Sequence, residues 1–115
     1  MKEIIKKIVE IELLEKNYNI ETLIIYNIYK IPGEIFTEYL IFCFCKNFEE
    51  NPTYFTIISK IANKEFSENI EKINLDKIMN TILTQSDDWN VILKKFKRYL
   101  TFYKDYSVIL EDIKL

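Results

Sequence analysis

No histidine occurs among the 115 residues, one glycine and two prolines are the only backbone specialists, and Arg98 is the single arginine beside 15 lysines. Each shortage excludes chemistry. Without histidine the commonest general base is gone, and with it the usual Ser–His and Cys–His nucleophile pairs and every histidine-containing metal motif. With Gly33 as the only glycine, neither a glycine-rich phosphate cradle nor a dinucleotide-binding fingerprint can be written into the chain. No bound cofactor is expected.

Cysteine is nearly as scarce. Cys43 and Cys45 stand two apart, a spacing that sends them to nearly opposite sides of a helix and to one face of a strand. Neither arrangement suits a bridge between them. A structural zinc site wants about four thiolate or imidazole ligands, so no metal is expected and both cysteines read as buried, reduced core thiols.

Long apolar runs are also missing. The longest, residues 39–45, has seven members, against the roughly 20 that span a bilayer. Residues 1–15 interleave Glu3, Lys6, Lys7, Glu10 and Glu12 among isoleucines, which breaks the continuous apolar core of a secretory signal. A cytoplasmic location without membrane contact is the expectation.

What is present suffices for one folded unit. Hydrophobic residues are 49% and charged residues 30% of the chain, too apolar for disorder and too short for two cores, so a single domain over residues 1–115 is expected. The net charge of −2 sets up no global field toward nucleic acid or an anionic membrane. The bias toward Lys, Ile, Asn and Tyr reflects A/T-rich coding and carries no chemistry.

Periodicity reads as helix from end to end. Ile4, Ile8, Ile11 and Leu14 form a first stripe, widened by Ile5 and Val9, with Asn17 or Asn19 as the stop. A second helix is expected over residues 20–30 and a third over 34–47, separated by Pro32-Gly33. Asn51-Pro52 reads as N-cap and first helical residue of a fourth. Leu75, Ile78, Met79, Ile82 and Leu83 fit another. Ser86-Asp87-Asp88 opens the clearest one, with Trp89, Ile92, Leu93, Phe96, Leu100 and Tyr103 on its apolar face and Asn90, Lys94, Lys97, Thr101 and Lys104 opposite.

The expected fold is therefore all-α, six to seven short amphipathic helices packed as antiparallel helical hairpins. The Ser86-Asp87-Asp88-Trp89 start resembles helix starts in HEAT-type arrays, although no repeat of fixed period accompanies it. The alternative is α+β with a β-hairpin at about 20–45, because those residues are rich in β-branched and aromatic side chains and Pro32-Gly33 suits the centre of a type II turn.

The candidate functional residues follow from charge and phase. The pairs Glu49-Glu50, Asp87-Asp88 and Glu111-Asp112 diverge by about 100° on a helix and read as solvated or as dipole complements, so no catalytic residue is assigned. The run Lys94, Lys95, Lys97, Arg98 and Lys104, interleaved with Phe96, Tyr99, Phe102 and Tyr103, has the composition of a single-strand nucleic-acid platform. Helical phase places Phe96 and Tyr103 in the core stripe and leaves Tyr99 and Phe102 nearer the boundary. Eight Tyr, eight Phe and one Trp exceed what a core of this size takes in. Tyr18, Tyr26, Tyr29, Tyr99 and Tyr106 are the off-stripe candidates for a protein interface.

Two acidic groups, Glu10, Glu12 and Glu15, and Glu65, Glu68 and Glu71, complete the candidate contact set. The function expected from these residues is non-catalytic: a bacterial immunity- or antitoxin-type protein that occludes a cognate toxin, a nuclease in the first instance, with acidic groups steering association to a basic cleft. The other expectation is a nucleic-acid-associated regulator or phage-type inhibitor using the basic aromatic face of the helix over residues 87–104. The oligomeric state is left open by the sequence.

Overall fold

The first helix forms where isoleucines recur one turn apart. In the computed structural model, which describes residues 2–46, 52–67, 69–106 and 110–114, helix α1 (Lys2–Glu15) buries Ile4, Ile5, Ile8, Val9 and Leu13 and leaves Lys2, Glu3, Lys6 and Lys7 in solvent. It stops at Asn17, whose φ of 66° is the only positive value among the described residues. The Tyr18 and Asn17 N–H groups donate back to the carbonyls of Leu13 (3.0 Å) and Leu14 (3.1 Å). These bonds satisfy carbonyls that a helix end otherwise leaves unpaired, and asparagine tolerates the left-handed conformation they require.

Beyond Asn17 the helical expectation fails. The stretch read as a helix over 20–30 is strand β1 (Thr22–Ile31), that over 34–47 is β2 (Phe36–Lys46), and the helix expected after Pro52 is β3 (Thr53–Ala62). The expected cap Asn51 lies outside the described residues. Of Leu75, Ile78, Met79, Ile82 and Leu83, the first lies in a 3-10 turn (Leu75–Lys77), Ile78 links it to the next strand, and the other three lie in that strand, β4 (Met79–Ser86). Helix α2 (Trp89–Asp105) forms as read, and the tail adds a short strand, β5 (Glu111–Ile113). The fold is α+β, not all-α: among the described residues there are two helices and a five-stranded antiparallel sheet of order β4-β3-β2-β1-β5. The likeness to HEAT-type helices falls with the helical hairpins, while β1 and β2 form a hairpin over the segment for which one was the alternative.

The misreading has a physical cause. α1 covers one face of the sheet and α2 the other, so the central strands are apolar on both sides. In β2, Tyr39, Ile41, Cys43 and Cys45 face the α1 cluster while Leu40 and Phe42 face the α2 cluster. A strand buried on both faces loses the polar–apolar alternation that marks half-buried strands, and its apolar run is indistinguishable by period from a buried helix. A bulge between Ile25 and Asn27 further breaks the phase of β1. Leu23, Ile25 and Ile28 pack on the α1 side and Tyr26, Tyr29 and Ile31 on the α2 side.

The β1–β2 turn is held from outside. Asn63, just past β3, donates through Nδ2 to the carbonyls of Gly33 (2.8 Å) and Glu34 (3.0 Å) and accepts from Thr37 Oγ1 (2.6 Å). Its own N–H reaches the Ile35 carbonyl at 2.8 Å. Gly33 does not have positive φ, so the turn is not the type II turn that Pro32-Gly33 suggests.

β3 and β4 pair in register except for an irregularity between Thr56 and Ile57 that makes Leu83 an extra residue in β4. Just beside it Thr56 and Thr84 face one another, and the hydroxyl of each is buried with no hydrogen-bond partner among the described residues. A buried hydroxyl left unpaired costs roughly 1–3 kcal/mol, and an apolar group of the same shape removes that cost. Thr56→Val is therefore expected to raise the unfolding free energy by about 1 kcal/mol, read as a higher urea midpoint at unchanged slope. A loss of similar size would show that the hydroxyl has a partner.

Candidate functional site

The α2 side of the sheet carries the chemistry that solvent can reach. The helix is started by Asp88, whose carboxylate accepts from the N–H groups of Asn90 (2.8 Å) and Val91 (3.3 Å), and Ser86 Oγ accepts from the Asp88 N–H at 3.0 Å. Asp88, rather than Ser86, is thus the cap. Ile92 and Phe96 are the buried anchors. They meet an aromatic layer in which Phe42 lies 5.3 Å from Trp89 and 5.0 Å from Phe96, and Tyr26 and Tyr54 stand edge-on to Trp89 at 5.1 and 5.4 Å.

One flank of α2 overhangs β4 without closing on it. Leu83 from the strand and Arg98, Tyr99, Phe102 and Tyr103 from the helix line a hollow of about 370 Å³. Phe102 is 53% exposed and Tyr106 is 70% exposed, and their rings lie 4.7 Å apart. Lys94, Lys95, Lys97, Arg98 and Lys104 are all exposed, and among the described residues none of them takes part in an ion pair. The surface is therefore an apolar aromatic hollow with one cation on its rim, Arg98, that forms no ion pair among the described residues. A second hollow, of about 360 Å³, lies under the β1–β2 turn among Lys30, Thr37, Tyr39 and Asn63. Of its polar side chains, Thr37 and Asn63 bond to one another and Lys30 pairs with Glu111 at 3.7 Å.

The residues singled out from the sequence do not form one surface. Tyr18 lies on the α1 side, edge-on to Phe55 at 5.2 Å, with its hydroxyl donating to Gln85 Oε1 at 3.1 Å. Tyr26 and Tyr29 are built into the aromatic layer beneath α2. Tyr99 lines the hollow, and Tyr106 stands beside it. Glu10, Glu12 and Glu15 are on α1, and Glu65 and Glu71 are on the β3–β4 connection, which reaches the same α1 side through Ile73 and Phe66. Three of these carboxylates are balanced within the chain: Glu10 by Lys7 at 3.6 Å, Glu12 by Lys16 at 3.2 Å and Glu65 by Lys77 at 3.3 Å. Glu68 lies outside the described residues, as does the pair Glu49-Glu50.

No protein-family model matches the chain, and no curated protein or solved structure matches it.

Leu83 and Tyr103 are the members of the hollow that sequence reasoning placed only in the core. Leu83 was unreachable while β4 was read as helix. Among the described residues no three Cys, Asp or Glu side chains gather as a metal-ligand group, and no helix is long and apolar enough to cross a membrane.

Titration in this structure is shifted in one direction. Burial raises the Cys43 thiol far above its ordinary range, with Cys45 adding to the effect. Burial also raises the phenols of Tyr26, Tyr39 and Tyr103, helped by Tyr54, by Glu111, and by Glu38 with Tyr99 respectively. In each case the folded value lies above the unfolded one. The stability these neutral groups contribute is fully present below the unfolded values, 9.0 for the thiol and 10.0 for the phenols, and is lost as pH rises through the folded values. The melting temperature is expected to fall above about pH 9, with the tyrosinate absorbance of Tyr26, Tyr39 and Tyr103 appearing at the unfolding transition. Tyrosinate absorbance of all eight tyrosines titrating together, well before unfolding, would contradict this.

Proposed function

We propose that this chain is a non-catalytic protein-binding inhibitor that occludes a surface of its partner, with the α2–β4 hollow as the contact. An immunity- or antitoxin-type protein acting on a cognate toxin domain in the cytoplasm is its most concrete form. The observation that carries the proposal is the aromatic group at the hollow, half-buried Tyr99 with exposed Phe102 and Tyr106, beside Arg98, which forms no ion pair among the described residues. Aromatic residues and arginine are the types that dominate binding energy at protein interfaces. The nuclease form of the target draws on charge outside the contact: on the opposite side of the molecule Glu15 and Glu71 form no ion pair among the described residues, and such charge steers approach to a basic partner without entering the interface.

The second reading, a nucleic-acid-associated regulator, is favoured by one observation: Lys94, Lys95, Lys97 and Arg98 are all exposed on α2, the helix that also exposes Phe102. Salt separates the two, because binding through phosphates weakens steeply as salt rises while a contact with a desolvated aromatic centre persists. The experiment is affinity capture by the tagged full chain from lysate containing the products of neighbouring genes, treated with nuclease and washed at high salt. One stoichiometric protein that loses its toxic activity when mixed with this chain supports the proposal. Recovery of nucleic acid alone, lost on nuclease treatment, overturns it in favour of the second reading.

A further inference from the structure

β4 is an edge strand with little protection. It pairs with β3 and with no other strand among the described residues, so its outer side presents unpaired N–H and C=O groups. Proteins guard such edges with lysine, proline, inward-pointing charge or a bulge. The eight residues of Met79–Ser86 carry no charge and no proline. Only the bulge is present, and its extra residue, Leu83, lines the α2 hollow. Met79 and Thr81, on the same face of β4 as Leu83, are exposed and continue that apolar and uncharged strip along the edge.

Three features thus coincide: an open backbone ladder, an apolar hollow beside it, and Arg98 on the rim of the hollow with no carboxylate partner among the described residues. We infer that the β4 edge takes up an extended segment of the partner as an added strand, with apolar side chains entering the hollow and a carboxylate meeting Arg98. In a strand alternate side chains share one face, so the segment recognised has apolar residues at every second position and an Asp or Glu among them. Backbone pairing supplies affinity in this mode, and the hollow supplies selectivity. A second copy of this chain fits the edge less well. Antiparallel pairing of β4 with its copy about a twofold axis keeps both α2 helices on one side of the joined sheet. That brings the Arg98 and Lys95 flanks toward each other, and like charges so placed repel.

This inference rests on the protein-binding reading above and specifies its mode. The test uses the full chain, immobilised and exposed to a random linear peptide library displayed on phage, with a synthetic peptide of the enriched sequence as the probe. The enriched peptides are expected to alternate apolar residues and to carry an acidic one. The bound peptide is expected to slow hydrogen exchange at alternate amides of β4. Arg98→Glu, at an exposed helix position, is expected to weaken binding about tenfold or more, and replacing the acidic residue of the peptide by lysine is expected to restore it on that variant. Exchange protection confined to other elements overturns the inference, as does binding indifferent to Arg98→Glu. A dimer whose β4 amides are already protected assigns the edge to a second copy and also overturns it. If no peptide is enriched while a partner protein is still captured, strand addition fails and the binding reading stands. Loss of both peptide and partner is a failure of the binding reading itself.

Discussion

Phe42→Ala is expected to remove about 3–5 kcal/mol from the unfolding free energy, the largest single loss in this fold. Phe42 is 1% exposed at the middle of the central strand, and its ring meets those of Tyr26, Trp89 and Phe96 at 5.3, 5.3 and 5.0 Å. The three neighbours come from β1 and from two turns of α2, so no one of them can move into the space without undocking from the others. The cost is then the lost transfer of a benzyl group plus a cavity that does not collapse, together with the edge and stacking contacts among rings. Against a total of about 5–15 kcal/mol for a domain, this is a large share of the stability. Urea unfolding followed by the fluorescence of Trp89, the only tryptophan, reads both the stability and the docking of α2. A loss under about 1 kcal/mol would mean that α2 is not seated on Phe42.

Gly33→Ala should follow in size, at about 1–3 kcal/mol, because an added methyl has nowhere to go. A Cβ at position 33 would lie 2.2 Å from the carbonyl oxygen of Phe36. That atom belongs to the backbone and cannot rotate aside, so the turn must open. Opening it moves the Gly33 and Glu34 carbonyls away from Asn63 Nδ2, which holds them at 2.8 and 3.0 Å, and weakens the start of β2. A mild variant, within about 0.5 kcal/mol of the parent, would show that the turn relaxes freely. Asn63→Ala in the same chain distinguishes the causes. If the clash already breaks the Asn63 bonds, the double variant is less destabilised than the two single changes summed.

How much of this was legible in the sequence follows from which surfaces water touches. α1 and α2 each have one solvated face, so Ile4, Ile8 and Val9 on one, and Ile92 and Phe96 on the other, stand out at helical spacing, although Leu14, read into the first stripe, is 56% exposed and Leu13 is the residue that is buried there. β2 has no solvated face, and residues 39–45 give no period to read. Leu75, Ile78, Met79, Ile82 and Leu83 fit a helical template by coincidence. A 3-10 turn shifts the phase at Leu75 and the bulge shifts it at Leu83, so five residues of an edge strand and its lead-in mimic a helix stripe. The turn at Pro32-Gly33 was visible, but its reason, the close approach of the Phe36 carbonyl, involves a neighbour that only the folded hairpin brings near.

The candidate site was legible in half. Phase alone set Tyr99 and Phe102 at the boundary of α2, and the basic run named Arg98, whereas Leu83 joins them from a strand 15 residues earlier in the chain than Arg98. The acidic clusters were visible as composition. The lysines that balance Glu10 and Glu12 were visible too, three residues before the first and four after the second, a spacing at which helical side chains meet.

The central claim is that the exposed aromatic flank of α2, and not the acidic side of α1, holds the partner. The measurement that bears on it most directly is capture of the partner by three chains side by side: the parent, Phe102→Asp and Glu10→Lys, each at an exposed or half-exposed position and each verified as folded by circular dichroism. The account predicts that Phe102→Asp loses capture while Glu10→Lys retains it. Retention by Phe102→Asp with loss by Glu10→Lys would contradict the account and move the binding surface to the other face of the sheet.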